Sequence, residues 1–445
     1  MWYGKSTERS VVRIALIADA FPPMRTSGAV QLRDLALEFA RQGHSLCVLL
    51  PAHDQREPWS LGEFSGAQVL RLKAPRTKDV GYTRRVLAEL LMPFAMLRNL
   101  RNSPLAKERW DGIVWYSPSI FHGPLVSSLR KSSRCRSYLI IRDIFPEWAI
   151  DIGLMGRSLP YYFFYAIARY QYSLADVIGV QTRGNEVYFD RWMNQQGRQL
   201  EVLQNWLDKP AQVRCSIQLS DSALVGRKVL VYAGNMGVAQ GMNALLDLAQ
   251  RLSGRPDIGF LFVGRGSSFE RLKAVSESMQ LNNVVFFDEI DPDEIPDLFA
   301  QCAAGLLALD PQHKSHNIPG KFLTYMRSGL PVLANVNAGN DLARMIRAEG
   351  VGQVCETDQL DELVSLTEKL LDQIETDLSL PSRCIALFYR DFTVERAVKQ
   401  IVAALCKAET ERSRNFSFGD FKELTAQAQC SSRGKQHGAD HESQA

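Results

Sequence analysis

Residues 316–335 read His-Asn-Ile-Pro-Gly-Lys-Phe-Leu-Thr-Tyr-Met-Arg-Ser-Gly-Leu-Pro-Val-Leu-Ala-Asn, and three parts are legible in them. A polar loop ends in Pro319-Gly320-Lys321, a short helix runs through Met326, and Gly329-Leu330-Pro331-Val332 turns into a buried strand. A loop that delivers a lysine and unpaired backbone N–H groups to a helix start suits a phosphate. The helix dipole and open amides favour an anion there, and Lys321 adds a point charge. The same pattern is also an ordinary loop–helix–strand unit of an α/β domain, so the surrounding chain has to decide.

Outward from that stretch the same units recur. Before it, Val229–Ala233 reads as a strand, Gly234-Asn235-Met236-Gly237 as a loop and Met242–Leu252 as a helix. Gly259–Val263 is a further strand, followed by Gly264-Arg265-Gly266 and a helix near Phe269–Met279; Val284–Phe287, Ala304–Ala308 and Pro331–Ala334 continue the series. An earlier series opens with the apolar stretch Val11–Ala18, ending at Asp19. The Phe21-Pro22-Pro23 loop, a helix over Ala29–Gln42 and a strand at Leu46–Leu50 follow, with more strands at Gly112–Tyr116, Ser137–Ile141 and Val177–Gln181. Alternating strands and helices predict parallel, doubly wound sheets. The expected architecture is α/β, with two Rossmann-like domains facing across a cleft. The expected bounds are 1–203 and 204–390, then a C-terminal helix over 391–409 packing back on the first domain and a disordered tail over 410–445. Ligands of such sheets sit beyond the carboxyl ends of the strands, where the loops named here fall.

The totals narrow the function. The chain has 445 residues, 46% hydrophobic and 23% charged, with a net charge of +3. That is a globular composition with no nucleic-acid footprint. No stretch reaches the apolar length of a spanning helix, and the opening Met1-Trp2-Tyr3-Gly4-Lys5 does not read as a signal peptide. The eight cysteines show no Cys-x-x-Cys spacing, which argues for reduced thiols and against a zinc site. His313 and His316, three apart, have no third ligand in view, and His437 and His441 fall in the polar tail, so no metal is expected.

With the loops placed, the chain resembles the GT-B glycosyltransferases, specifically the family 4 enzymes that use nucleotide-sugar donors with retention. It is most similar to bacterial enzymes of O-antigen and capsule assembly, including those assigned as L-fucosamine transferases. The likeness runs from about Val12 to Leu405. It rests on Phe21-Pro22-Pro23 with Gly28, Arg142-Asp143-Ile144-Phe145-Pro146-Glu147, Leu174-Ala175-Asp176, Gly234 through Gly241, Val263-Gly264-Arg265-Gly266, and Pro319-Gly320-Lys321 with Ser328-Gly329-Leu330-Pro331-Val332. Two departures stand out. The family's paired glutamates fall at His316 and Thr324, and Gln240 stands where many relatives carry a lysine. A threonine hydroxyl holds a ribose more weakly than a carboxylate, about 1 kcal/mol against about 1.5–3.

The resemblance implies metal-independent transfer of a sugar from a nucleoside diphosphate, without a cofactor. Catalysis then consists mostly of positive charge preorganised around the departing diphosphate. Lys321, Arg265 and the amides of Gly234–Gly237 and Pro319–Gly320 are the candidates, so Gly234, Asn235, Gly237, Pro319 and Gly320 join the donor set with Gly28, Thr324 and His316. Asp143 directly follows an apolar strand and is the acid expected near the acceptor, with Glu147 second. Each also has a plainer role: Arg265 as a solvated loop arginine, Gly28 as an N-cap turn, Asp143 as a helix cap. Lipid-linked acceptors are usual for this branch, which implies a polyprenyl-diphosphate-linked glycan and a cytoplasmic, peripheral-membrane protein. Tyr82–Arg101 places Arg84, Arg85, Arg98 and Arg101 around an apolar run, a pattern suited either to an anionic membrane surface or to a helix with a core stripe kinked at Pro93. The aromatic run Pro160–Tyr172 is expected to pack in the core. Two rivals share the fold: a nucleotide-sugar 2-epimerase, and a non-catalytic partner of another transferase.

Overall fold

The computed structural model describes residues 11–407, apart from positions 25, 152, 196, 210–212, 238–239 and 310–317. His313, His316, the 410–445 tail with His437 and His441, and Val238-Ala239 of the glycine-bearing loop therefore lie outside the described residues.

The first half contains β1 (Arg13–Ile17), α1 (Ser27–Arg41), β2 (Ser45–Ala52), β3 (Trp59–Phe64), β4 (Ala67–Lys73), α2 (Tyr82–Arg101) and β5 (Gly112–Tyr116). It continues with α3 (Gly123–Ser133), β6 (Arg136–Ile140), α4 (Glu147–Asp151), α5 (Leu159–Ser173), β7 (Val177–Val180), α6 (Asp190–Met193) and β8 (Gln199–Val202). Its eight strands form one sheet in the order β3-β4-β2-β1-β5-β6-β7-β8. All neighbours are parallel except β3 and β4. The strands β1, β5 and β7 are buried on both faces, as the apolar runs require of a parallel sheet covered on both sides. Ala15 and Ile17 face the layer of α2, α3 and α5, while Ile14 and Leu16 face α1.

The second half contains β9 (Lys228–Asn235), α7 (Met242–Arg251), β10 (Ile258–Arg265), α8 (Phe269–Ser278), β11 (Val284–Phe287), α9 (Ile295–Ala300) and β12 (Ala304–Ala308). Then come α10 (Gly320–Arg327), β13 (Val332–Asn335), α11 (Asp341–Glu349), β14 (Gly352–Cys355), α12 (Leu360–Thr376) and α13 (Leu380–Asp391). Six parallel strands run in the order β11-β10-β9-β12-β13-β14. The order reverses between β9 and β12, the switch point at which open α/β sheets form their binding crevice. A last helix, α14 (Val394–Cys406), lies beside α1 under the first sheet. There Val398 and Ile401 are fully buried, and Arg136 donates from Nη1 to the carbonyl of Ala404 at 2.6 Å.

The helix α2 is a single helix across Pro93, and two features depart from the sequence reading. The aromatic run 160–172 is only half in the core: Phe164 and Tyr172 are buried, whereas Tyr162, Phe163 and Tyr170 lie on the exposed side of α5. The β3–β4 hairpin, absent from the sequence reading, turns at Ser65-Gly66, both with positive φ (48° and 87°), which is the geometry tight hairpins favour.

Candidate functional site

A pocket of about 280 Å³ opens at the β9/β12 switch point. One wall carries Gly234, Gly264, Lys321 and Thr324, and the opposite wall carries Val30, Arg33 and Asp34 of α1. Thus the structure joins three of the expected donor-side residues, Gly234, Lys321 and Thr324, in one concavity facing the other half of the chain.

The lysine is the centre of it. Pro319 is the N-cap of α10, with no side-chain cap on the first turn, and Lys321 is the second helical residue. Its Nζ sits 4.7 Å from the centroid of the Tyr232 ring. Tyr232 is held by its own hydroxyl, which donates to Asn235 O at 2.6 Å. Burial lowers the Lys321 pKa from 10.5 to about 8. Among the described residues no carboxylate pairs with it, and the ammonium lies over the negative face of the Tyr232 ring instead. A desolvated cation without a counter-ion, beside open helix-start amides, is an anion site waiting for its charge.

Two glycines make room for that arrangement. A Cβ on Gly234 would lie 2.9 Å from Lys321 Cε, so the glycine lets the lysine stem pass. Gly264 has φ +147°, and a Cβ there would lie 2.0 Å from Gly234 O, so the ends of β9 and β10 can approach only without it. The loop after β9 is otherwise closed on itself. The Met236 amide donates to Arg265 O at 2.7 Å, and the Gly237 amide donates to Gln240 Oε1 at 2.8 Å. Of the amides expected to face a diphosphate, these two are already engaged, and Gln240 must turn away before Gly237 is free. The Asn235 side chain donates weakly to the same Gln240 oxygen at 3.4 Å.

Of the other expected residues, Arg265, Gly28 and Gly320 do not line this concavity, whereas Thr324 does. Arg265 ends β10 with its side chain 69% exposed and its Nε 3.1 Å from Glu289 Oε2. A surface pair of this kind is weak enough to re-aim. The Thr324 hydroxyl donates to Gly320 O at 3.1 Å, a back-bond along the helix that leaves its lone pairs available. Gly28 is in the first turn of α1, whose N-cap Thr26 accepts from the Ala29 amide at 3.4 Å. Gly320 opens α10 with nothing within 4 Å of where a Cβ would stand. His316 is outside the described residues.

The two acids lie on the first sheet's side. Asp143 follows β6, exposed, with its amide 3.4 Å from Ser117 Oγ. Glu147 opens α4; burial raises its pKa, and its Oε2 is enclosed without a hydrogen-bond partner among the described residues. Between them and the crossover, Arg142 is structural. It stacks 4.8 Å from the Trp206 ring and donates to the carbonyls of Leu203 and Gln204, and burial lowers its pKa. The sequence reading missed one pair. Fully buried His122 places Nε2 2.9 Å from Oδ1 of Asp19, at the carboxyl ends of β5 and β1. Asp19 carries the same signal that singled out Asp143, a carboxylate directly after a buried strand, whereas its partner is visible only in three dimensions.

A second group ties the halves of the chain together at the pocket floor. Arg41 grips the Asp208 carboxylate with two hydrogen bonds of 2.8 and 2.7 Å, Asp208 N donates to Asp34 Oδ2 at 3.3 Å, and Arg327 Nη1 donates to Asp208 O at 2.8 Å. Burial alone would raise the Asp208 pKa, but the Arg41 bonds outweigh it and hold the carboxyl below its ordinary value. Among the described residues no group of histidine, cysteine and carboxylate side chains could hold a metal ion, and no helix is long and apolar enough to cross a membrane.

Known proteins resemble this chain in sequence and in fold. Residues 227–373 match the family model described as glycosyl transferases group 1. WbjE of Pseudomonas aeruginosa, named as a glycosyltransferase, is 26% identical over 247 residues, covering 54% of this chain and 60% of that protein. WcaI of Escherichia coli K12, named as a glycosyl transferase of colanic acid biosynthesis, is 24% identical over 277 residues, covering 57% and 62%. The matches thus span about three fifths of the length of these curated relatives. Among solved structures, Anabaena Alr3699/HepE in complex with UDP and glucose superposes with a TM-score of 0.59 at 15% identity, over 89% of this chain and all of that one (100%). The second α/β unit thus carries a group 1 glycosyl transferase domain, and the chain as a whole has the GT-B fold of solved glycosyltransferases.

Proposed function

We propose that this protein transfers a sugar, N-acetylated or deoxy, from a UDP-sugar to a lipid-linked glycan during assembly of a bacterial surface polysaccharide. Transfer proceeds with retention and without a metal. The observation that carries the reading is Lys321: a cation with its pKa lowered to about 8 by burial, no acidic partner among the described residues, and uncapped helix amides beside it. A diphosphate supplies the missing charge. In the reaction the same group stabilises the negative charge that builds on the leaving diphosphate, with Arg265 swinging from Glu289 to assist and Gly234 letting the lysine reach it. In this reading Thr324 contacts the nucleotide ribose, His316 contacts the donor sugar, and Gly28 lets the N-terminal loop come close to the diphosphate. Asp143, or Glu147 as the second choice, orients the acceptor hydroxyl or takes up its proton.

The acceptor is taken to be a polyprenyl-diphosphate-linked glycan at the cytoplasmic face of the membrane. Support comes from α2. Arg84, Leu87, Leu91, Phe94, Arg98 and Arg101 are all exposed and recur at helical spacing, so apolar and basic side chains share one outward stripe.

The reading is tested by thermal shift of the purified protein against UDP, GDP, ADP and their sugars. A ligand of the folded state at a hundred times its dissociation constant adds about 2.7 kcal/mol. A shift with UDP and a larger one with a single UDP-sugar supports the proposal and names the donor. Stabilisation by UDP without turnover of any UDP-sugar, with or without lipid-linked acceptors, would instead favour the non-catalytic partner. No shift with any nucleotide rejects the donor site.

A further inference from the structure

The two crossovers between the sheets run side by side, with Leu207 N donating to Phe392 O at 3.0 Å and Val394 N to Leu207 O at 3.2 Å. Beside them lies a cavity of about 650 Å³, larger than the pocket at Lys321 and sharing no lining residue with it. Its walls come from both halves of the chain: Arg183 beyond β7, Asn205 on the outgoing crossover, Arg344 and Met345 on α11, and Arg396 on α14. Ile318, which also lines it, has its carbonyl gripped by Gln181 Nε2 at 3.0 Å and Asn205 Nδ2 at 2.9 Å. The wall is therefore built on fixed side chains of the first sheet's loops.

Three arginines and three carboxylates line this wall, and Arg390 beside it pairs with two of those acids. Each of the carboxylates already has an arginine. Asp341 pairs with Arg344 at 2.8 Å, Glu349 with Arg390 at 2.7 Å, and Asp391 with Arg390 at 2.9 Å and Arg396 at 3.2 Å. Arg183 is exposed and makes no ion pair among the described residues. One cation is left over for a ligand. Around it the lining alternates amides (Gln204, Asn205, Gln400) with aliphatic surface from Met345 and Ala397. That mixture suits the hydroxyls and C–H faces of a pyranose, and the volume falls within the roughly 300–1,000 Å³ of small-molecule sites.

We infer that this cavity is a second binding site, distinct from the donor pocket, for a small carbohydrate carrying a single anionic group, a sugar acid or a sugar phosphate. Arg183 holds the anion and the amides hold the hydroxyls. Nothing in this inference requires the protein to be a transferase.

The test is calorimetric titration of the full chain with D-glucuronate, D-glucose 6-phosphate and neutral D-glucose at millimolar concentration. At least one anionic sugar binds, and glucose binds roughly tenfold more weakly or worse, as loss of one charge-assisted contact implies. Arg183→Ala removes that preference, and Ala348→Trp, which fills the mouth of the cavity from an exposed position on α11, blocks binding. Lys321→Met leaves it unchanged. Binding of glucuronate alone identifies a sugar acid, and binding of glucose 6-phosphate alone a sugar phosphate. The inference is overturned if neither anion binds, if binding survives Arg183→Ala and Ala348→Trp, or if Lys321→Met abolishes it, since the sugar would then occupy the other pocket. A protein that ignores UDP yet binds an anionic sugar through Arg183 would reject the proposed donor and leave this site standing.

Discussion

The Lys321→Met variant separates two effects that usually travel together. A pKa held at about 8 instead of 10.5 corresponds to roughly 3 kcal/mol of unfavourable charge burial at neutral pH. The folded-state value is the lowered one, so the cost is fully present below about pH 8 and fades as pH rises from there toward 10.5. Methionine keeps most of the stem and removes the charge. The ligand-free variant is therefore expected to be more stable than the parent at pH 7, by about 1–3 kcal/mol once relaxation is allowed for. Its affinity for UDP falls by at least about tenfold, the value of a lost charge-assisted hydrogen bond. The parent protein has a matching signature. With a pKa of about 8, Lys321 is roughly nine-tenths protonated at pH 7 and one quarter protonated at pH 8.5, so UDP affinity drops about fourfold across that interval. Lys321→Arg stays charged and flattens the profile. Thermal melts of the ligand-free proteins and UDP titrations between pH 7 and 8.5 read both effects. A destabilised Lys321→Met variant that still binds UDP at parental strength, or a flat pH profile in the parent, would refute the assignment of Lys321 as an uncompensated cation awaiting a diphosphate.

Gly264→Ala places a Cβ 2.0 Å from Gly234 O at a φ of +147°; about 2–4 kcal/mol of stability and all nucleotide binding should be lost, as read by melting and titration. Gly320→Ala meets nothing within 4 Å, so it should hold or raise stability by about 0.5 kcal/mol, and weakened UDP binding in that variant would place the diphosphate against the start of α10. Asp208→Asn gives up the paired bonds from Arg41 at a cost of about 1–3 kcal/mol. Because the Asp208 pKa is lowered in the folded protein, its contribution is present above the unfolded value near pH 4 and lost as pH falls further, so melts from pH 7 to pH 3 should converge for parent and variant only at the acid end. Changing Arg84, Arg98 and Arg101 on α2 to glutamine should reduce flotation with phosphatidylglycerol vesicles by about fivefold per arginine at low salt; equal binding of parent and triple variant would remove that stripe from the membrane proposal.

How much of this was readable in the chain follows from how local each cause is. Strands β1, β9 and β10 are buried on both faces, so their apolar runs announce them without any partner. The strand β3 is exposed along most of its length and alternates poorly, so Trp59–Phe64 looks like loop until β4 pairs with it. The helices α11 to α13 went unread although Asn340 caps α11 by accepting from the Leu342 amide at 2.9 Å, a signal of ordinary strength that a sequence reading can use. On α5 the aromatic residues are too evenly spread for composition to tell the buried Phe164 from the exposed Phe163 beside it. Only the sheet behind the helix decides.

The site divides along the same line. Lys321 was legible because a loop, a glycine and a lysine meet at a helix start within three residues. The purpose of Gly234 was not, since what crowds it is a lysine stem arriving from α10 far along the chain. Nor could the loop sequence reveal that Gln240 spends its carbonyl on the Gly237 amide, or that Arg265 turns toward Glu289. Both contacts satisfy, inside the protein, groups that a diphosphate would otherwise satisfy. They lower the cost of leaving the pocket empty. Lys321 has no such substitute among the described residues, since an aromatic face replaces only a fraction of a counter-charge. The ligand-free site is therefore not uniformly poised: its amides and its arginine are parked, and the one group that stays costly until an anion arrives is the lysine. Binding energy from the diphosphate should accordingly concentrate on Lys321, with Arg265 and Gly237 contributing only the difference between two hydrogen-bonded states.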